Sequence, residues 1–77
     1  PDNHFSNIEA RLQAAAPNLT DRERQIIKLA VQGLSNKEAG LKLGISHRTV
    51  EKHRSSAMNK LGVSTISGLF RLVMVIK

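Results

Sequence analysis

The side chains with the widest chemical range lie between residues 46 and 59. Projected at about 100° per residue, this stretch places Val50 and Ala57 on an apolar face that Leu61 continues. The opposite face carries polar groups of several kinds: Arg48, Lys52, Ser55 and Asn59, flanked by Glu51 and Ser56. Lysine donates to guanine, glutamate accepts from cytosine, and serine or asparagine does either. The mixture suits the base edges of duplex DNA, although many amphipathic helices have a polar face that only meets solvent.

Catalysis and metal binding find little support in the sequence. The chain has no cysteine, which excludes disulfides, thiolate zinc sites and cysteine nucleophiles. His47 and His53 are six residues apart and no carboxylate cluster accompanies them, so we predict no metal site. No phosphate-binding loop and no nucleophile paired with a base can be recognised. We therefore expect a protein that is not an enzyme and that needs no cofactor.

The composition favours a polyanionic partner. The chain has 77 residues, enough for one small domain, and its 12 Lys and Arg against 6 Asp and Glu give a net charge of +6. Two Phe without Trp or Tyr exclude an aromatic platform for single-stranded nucleic acid. The longest apolar run, residues 72–76, is too short to cross a membrane. We expect a cytoplasmic protein with no membrane partner and, because the chain starts at Pro1, a piece of a longer one.

Helix-start signals recur along the chain. Ser6, Thr20 and Ser35 are each followed three residues later by Glu, which is the capping-box pattern. No alternating β-branched run flanked by turns is present, so we predict an all-α fold. The predicted helices cover residues 7–16, 21–32, 36–43 and 46–61, with a last one from 64 or 65 to the end. The positions expected to be buried in the first two helices are Ile8, Leu12, Ala15, Ile26, Ile27 and Ala30.

A tight turn separates the third and fourth predicted helices. Gly44 can take a positive φ without strain, Ile45 can place an apolar anchor between the helices, and Ser46 can cap the second one. A two-turn helix, a short break containing glycine and a longer capped helix form the pattern of a helix-turn-helix. Gly40 should let the second helix approach closely, and Val50 should supply the matching apolar contact.

Four separated sequence blocks extend this pattern. They read LTDRE at residues 19–23, GLSNKE at 33–38, LGISHRTVEKH at 43–53 and KLGV at 60–63. In this order they resemble the LuxR/FixJ-type (GerE-like) helix-turn-helix DNA-binding domain. The stretch 48–51, with His53, Arg54 and Met58, is closest to the FixJ-like response-regulator branch. The chain departs from the family at Ala39, where a larger aliphatic residue is usual, and at Gly40, where the usual alanine would favour the helix by about 1 kcal/mol.

The resemblance implies a four-helix domain at residues 19–77, preceded by a linker or helix at residues 1–18. It implies sequence-specific binding of double-stranded DNA as a homodimer, in the output domain of a transcription regulator. The input would come from an N-terminal receiver or sensor domain of a two-component response regulator, and RNA polymerase is a further candidate partner. The first helix could tether that domain, pack on the core or lack order.

Two alternatives stay open at the level of sequence. A sigma-factor promoter-recognition region shares the Leu-Thr-x-Arg-Glu opening at residues 19–23 and a similar turn. A protein-interaction module could use the same helices as a scaffold and the last helix as its contact surface. The salt dependence of binding to DNA separates the second alternative from DNA binding, because a protein that neutralises DNA phosphates releases their counterions.

Each candidate site residue has a role in the DNA-binding scheme. The family's base-reading positions fall on Glu51, Lys52 and Ser55, and the helical projection adds Asn59. Candidate phosphate contacts lie at the starts of the third and fourth helices and beside them: Asn36, Lys37, Ser46, Arg48, Thr49 and His53. Glu51 either reads cytosine or is neutralised by Arg48, three residues earlier.

Arg54 stands apart from these candidates. The projection puts it on the buried stripe beside Val50 and Ala57, where its charge needs a partner. We predict a structural ion pair with Glu23 in the second helix.

The last helix is more apolar than a small core requires. Ile66, Leu69, Phe70 and Val73 should complete the core. The apolar residues left over are Leu72, Val75 and Ile76. Exposed apolar surface of this kind indicates an interface, here for dimerisation, and a frayed chain end is the alternative.

Overall fold

The computed structural model describes the backbone of residues 4–74 and the side chains of residues 8–73. Over this range the protein consists of five helices joined by short turns, and no residue lies in a strand. The helices are α1 (His4–Ala15), α2 (Asp21–Val31), α3 (Asn36–Leu43), α4 (His47–Leu61) and α5 (Ile66–Met74). The predicted all-α class is confirmed, and α3 and α4 lie where the sequence placed them.

Two of the three predicted capping boxes form. Thr20 Oγ1 accepts a hydrogen bond from the Glu23 backbone at 3.1 Å, and Glu23 Oε1 accepts one from the Thr20 backbone at 2.9 Å. Ser35 and Glu38 make the equivalent pair at 3.1 and 2.8 Å. The third prediction was wrong: α1 begins at His4, so Ser6 lies inside its first turn and not before it.

Three glycines shape the turns around α3 and α4. Gly44 and Gly62 end these helices with φ of 74° and 75°, the left-handed region that glycine enters without strain. Gly40 acts by its small size, because a Cβ built there would lie 2.6 Å from the Ile45 carbonyl oxygen. The expected close approach is therefore present, and the approaching atoms belong to the turn and to His47, the first residue of α4. Val50 packs in an apolar cluster with Ala39 of α3, so the expected apolar contact between the two helices is present.

Helix α4 belongs to both apolar clusters of the core. In the larger cluster its Ala57 and Leu61 pack with residues of the other parts of the chain: Ile8, Leu12, Ala16, Leu19, Ile27, Ala30, Val31, Leu69 and Val73. In the smaller cluster its Val50 packs with three further residues: Ile26, Leu29 and Ala39. Because the two clusters hold opposite ends of one face of α4, the polar face of this helix has a fixed direction.

The burial pattern corrects the sequence analysis in α1 and α5. Ala15 is exposed, and Ala16, just beyond α1, is buried in its place. Phe70 is 37% exposed, whereas Leu72 is half-buried and packs against the larger cluster. The projection failed because α5 packs mainly against α1. Its inward direction is therefore set by a partner that the sequence did not identify.

Helix α1 is attached to the core by charge as well as by apolar packing. Glu9 Oε1 accepts a hydrogen bond from Lys28 Nζ at 2.7 Å, and Glu9 Oε2 lies 3.4 Å from Arg24 Nε. The hydrogen bond from Lys28 lowers the pKa of Glu9, although partial burial opposes the shift. Of the three possibilities considered for the first helix, packing on the core is the one observed.

Candidate nucleic-acid interface

The start of α4 orients two of the candidate hydroxyl groups. Ser46 Oγ accepts a hydrogen bond from the Thr49 backbone at 3.2 Å and lies 3.0 Å from Thr49 Oγ1. The two side chains therefore hold each other at the helix N-terminus. Backbone N–H groups and the helix dipole favour an anion at such a position.

The four base-reading candidates lie together on the solvent side of α4. Glu51, Lys52, Ser55 and Asn59 are all exposed, on the side opposite the two clusters. Among the described side chains, Glu51 makes no ion pair with Arg48. Its carboxylate is therefore open to accept hydrogen bonds, and one acceptor stands beside several donors.

The phosphate candidates cluster at the starts of α3 and α4. Lys37 and Arg48 are the second residues of these helices and both are exposed. Asn36, the first residue of α3, and His53, one turn further along α4, are half-buried. Cations thus accompany both helix N-termini, where backbone N–H groups are free of intrahelical partners.

Glu23 is the charged residue that the described part of the chain buries, and it ties α2 to α4. Its Oε1 accepts hydrogen bonds from Lys60 Nζ at 2.8 Å and the Thr20 backbone at 2.9 Å, and its Oε2 accepts one from Ser56 Oγ at 2.7 Å. Lys60 Nζ also donates to the Asn18 carbonyl at 3.3 Å. Burial disfavours the carboxylate, but the hydrogen bonds from Lys60, Thr20 and Ser56 outweigh it and lower the pKa of Glu23 to about 2.

The predicted partner of Arg54 was wrong. Arg54 is half-buried, but its Nη1 donates to Asn36 Oδ1 at 2.9 Å, while Ser56 and Lys60 occupy the Glu23 carboxylate. Ser56 and Lys60 were not predicted from the sequence to be partners of an acid. Their spacing contains a usable signal, because residues four apart lie on one side of a helix and can reach the same group.

The predicted dimerisation residues divide into two groups. Leu72 is half-buried against the larger cluster, whereas Val75 and Ile76 lie outside the described residues. The described surface also includes an apolar side chain to which the sequence analysis gave no role, Leu41 of α3, which is 79% exposed.

The described residues contain neither a membrane-spanning helix nor a metal-binding cluster. No helix in residues 4–74 has the length and apolar character needed to span a bilayer. Within the same residues, no three histidine, aspartate or glutamate side chains are grouped so that they could hold a metal ion.

Comparison with known proteins agrees with the geometry of α3 and α4. The luxR family of bacterial regulatory proteins (GerE) is matched over residues 17–73. This chain belongs to the luxR family. The match covers the helix-turn-helix and the helices that support it, and it favours this family over the sigma-factor alternative.

Individual relatives are regulators of the expected kind. The chain is 46% identical over 61 residues to the transcriptional regulatory protein MctR of Rhizobium johnstonii, covering 79% of this chain and 28% of MctR. It is 41% identical over 69 residues to FixJ of Rhizobium meliloti, covering 90% of this chain and 32% of FixJ. It is 40% identical over 63 residues to the response regulator protein TmoT of Ectopseudomonas mendocina, covering 82% of this chain and 29% of TmoT. The chain thus spans about a third or less of these relatives' length.

A solved structure supports the same assignment. The response regulator StyR superposes with a TM-score of 0.76 at 38% sequence identity, covering 86% of this chain and 33% of StyR. The predicted resemblance to the FixJ-like response-regulator branch of the family is therefore confirmed.

Proposed function

We propose that this domain binds double-stranded DNA sequence-specifically and is the output domain of a transcription regulator. The observation that carries the proposal is the exposed polar face of α4, held in a fixed direction by both core clusters. A capped, rigidly attached helix with mixed donors and acceptors on its outer side suits the major groove. Membership of the luxR family supports the same function.

The exposed residues of α4 divide the work of recognition. Lys52 donates to guanine, Glu51 accepts from cytosine, and Ser55 and Asn59 either donate or accept. The phosphate contacts come from the first turns of α3 and α4 and from His53: Asn36, Lys37, Ser46, Arg48, Thr49 and His53. These contacts position α4, while the base contacts select the sequence.

In the full-length protein, a receiver or sensor domain precedes this one and supplies the input. The support is that TmoT and StyR are response regulators and that the chain matches only 29% and 33% of their lengths. On DNA the domain forms a homodimer through Leu72, Val75 and Ile76, and RNA polymerase is a candidate partner. Such a regulator works where the bacterial chromosome is, in the cytoplasm.

The test is selection of bound duplexes from a random-sequence pool at about 150 mM salt, followed by sequencing. The expected result is an enriched inverted repeat with half-sites about one helical turn apart. The affinity for the selected site should fall with salt at a log–log slope near −4 to −5, as about five phosphate contacts per subunit require.

Two results would contradict the proposal. Retention of duplexes without any enriched sequence would leave only backbone binding and remove the claim of specificity. A flat salt response would favour the protein-interaction module, because neutralised phosphates always release counterions.

A further inference from the structure

Arg54 is a cation that the contacts proposed above leave without a role. Its Nη1 donates to Asn36 Oδ1 at 2.9 Å, and among the described side chains it forms no ion pair with a carboxylate. The buried Glu23 is already occupied by Ser56 and Lys60. Arg54 therefore has no direct ion-pair partner within residues 8–73.

The hydrogen bond to Arg54 determines which way the Asn36 amide faces. A guanidinium has only donors, so it can bond the amide through the oxygen alone. Oδ1 of Asn36 accordingly faces Arg54, and the Nδ2 amino group points to the other side. In the described part of the chain no buried side-chain nitrogen or oxygen lacks a partner. The remaining N–H groups of both half-buried side chains therefore open to solvent.

The outward surface of this pair consists of donors. It combines the Asn36 amino group with the unused guanidinium N–H groups of Arg54, and the exposed ammonium of Lys37 is adjacent in the chain. The acid on the same helix, Glu38, is turned back to accept from the Ser35 backbone at 2.8 Å. A surface of donors alone matches a phosphate, which only accepts, whereas base edges present both kinds of group.

We propose that Arg54 and Asn36 form one phosphate-binding pair, in which a single DNA phosphate is held from both helices of the helix-turn-helix. This inference rests on the proposed function and adds Arg54 to its contacts. Arg54 has two tasks: it binds the phosphate through charge and it orients the Asn36 amino group toward the same anion. A phosphate held in this way sets how α4 lies against the DNA backbone.

The first test is Arg54→Gln, measured on duplexes of random sequence by fluorescence anisotropy across a range of salt. Glutamine keeps an N–H donor on a shorter side chain but carries no charge. The affinity should fall on the order of tenfold for every duplex alike, and the salt slope should become shallower by about one. Arg11→Gln, which removes the charge of an exposed arginine on α1, is the matched control and should leave the slope unchanged.

The second test, Asn36→Asp, separates DNA binding from fold stability. The new carboxylate pairs with Arg54 inside the first turn of α3, so the melting temperature should stay equal or rise. The same carboxylate faces the phosphate, so DNA affinity should fall. A purely structural Arg54 would make affinity follow stability. Gln13→Glu, an exposed amide-to-carboxylate change on α1, controls for the added charge and should bind nearly as the unaltered chain does.

The outcomes distinguish this inference from the function on which it rests. A steep salt slope in the unaltered chain with the same slope in Arg54→Gln would overturn the phosphate pair and leave DNA binding intact. Undiminished affinity in Asn36→Asp would also overturn it. A flat salt response in the unaltered chain would overturn both the pair and the proposed function.

Discussion

The two halves of α4 are attached to the rest of the domain by different kinds of contact. In the N-terminal half, Val50 packs in the smaller cluster and Arg54 makes a hydrogen bond to the neutral amide of Asn36. In the C-terminal half, Ala57 packs in the larger cluster and Lys60 donates to the buried carboxylate of Glu23. One half is attached through a neutral partner and the other through an ionised one.

The difference separates stability from binding along a single helix. A buried carboxylate that loses its cation costs several kcal/mol, so the C-terminal half should dominate the free energy of unfolding. Among the described side chains, the cations of the N-terminal half form no ion pair, and these are the charges that a polyanion can bind. Substitutions in the two halves should therefore change different measured quantities.

The largest effect is expected for Glu23→Gln. The amide leaves Lys60 without its anionic partner, and the free energy of unfolding should fall by about 3 kcal/mol, measured by urea denaturation at neutral pH. Glu38→Gln is the matched control, because Glu38 makes the same capping-box contact in an exposed position. In Glu38→Gln the free energy of unfolding should fall by no more than about 1 kcal/mol. Equal losses in the two variants would remove the distinction between the halves.

Low pH should weaken the same contact between Glu23 and Lys60. The pKa of Glu23 is lowered from an ordinary 4.5 to about 2, so its stabilisation is fully present above pH 4.5 and is lost as the pH falls toward 2. The loss over this window should be about 3 kcal/mol for Glu23, with Glu9 adding in the same direction. Urea denaturation at a series of pH values should show a smaller acid loss in Glu23→Gln. An identical acid loss would place the responsible group elsewhere.

Lys52→Ala tests the binding half of the comparison. Lys52 is exposed and unpaired among the described residues, so the free energy of unfolding should change by less than about 0.5 kcal/mol. Binding to the selected duplex should weaken by about 1–3 kcal/mol, with relaxed preference at one base pair. Equal weakening on all sequences would instead make Lys52 a phosphate contact.

Lys37→Ala should have the smallest effect and the least sequence dependence. Loss of one phosphate contact should weaken all duplexes alike and reduce the salt slope by about one. Melting temperature should not change, because Lys37 is exposed and makes no ion pair within the described residues. An unaltered slope would indicate that this lysine only meets solvent.

Local features of the fold could be read from the sequence because they depend on neighbouring residues. The bounds of α3, the cap at Ser46 and the stops at Gly44 and Gly62 all follow from short patterns. The polar face of α4 was predictable for the same reason, since helical periodicity alone separates it from Val50 and Ala57. The false start at Ser6 shows the limit of such patterns.

Contacts between distant parts of the chain could not be predicted. The pairing of Glu23 with Lys60 joins residues 37 positions apart, and that of Asn36 with Arg54 joins residues 18 apart. Both depend on how α4 is rotated against α2 and α3, which composition and spacing do not specify. The burial of Phe70 and Leu72 was predicted the wrong way round for a similar reason, because α1 determines which side of α5 is covered.

Gly40 has a consequence for the order in which the domain opens. Helix α3 has only eight residues, fewer than the roughly 12–15 that an isolated helix needs in water, and its central glycine lowers that tendency further. Helix α3 therefore exists because it packs against α4 and α2, and its backbone amides should exchange with deuterium sooner than those of α2. Asn36 and Lys37 of α3 are proposed phosphate contacts. Bound DNA would therefore stabilise the helix whose backbone hydrogen bonds open first. Bound duplex should accordingly slow exchange in α3 more than in α2.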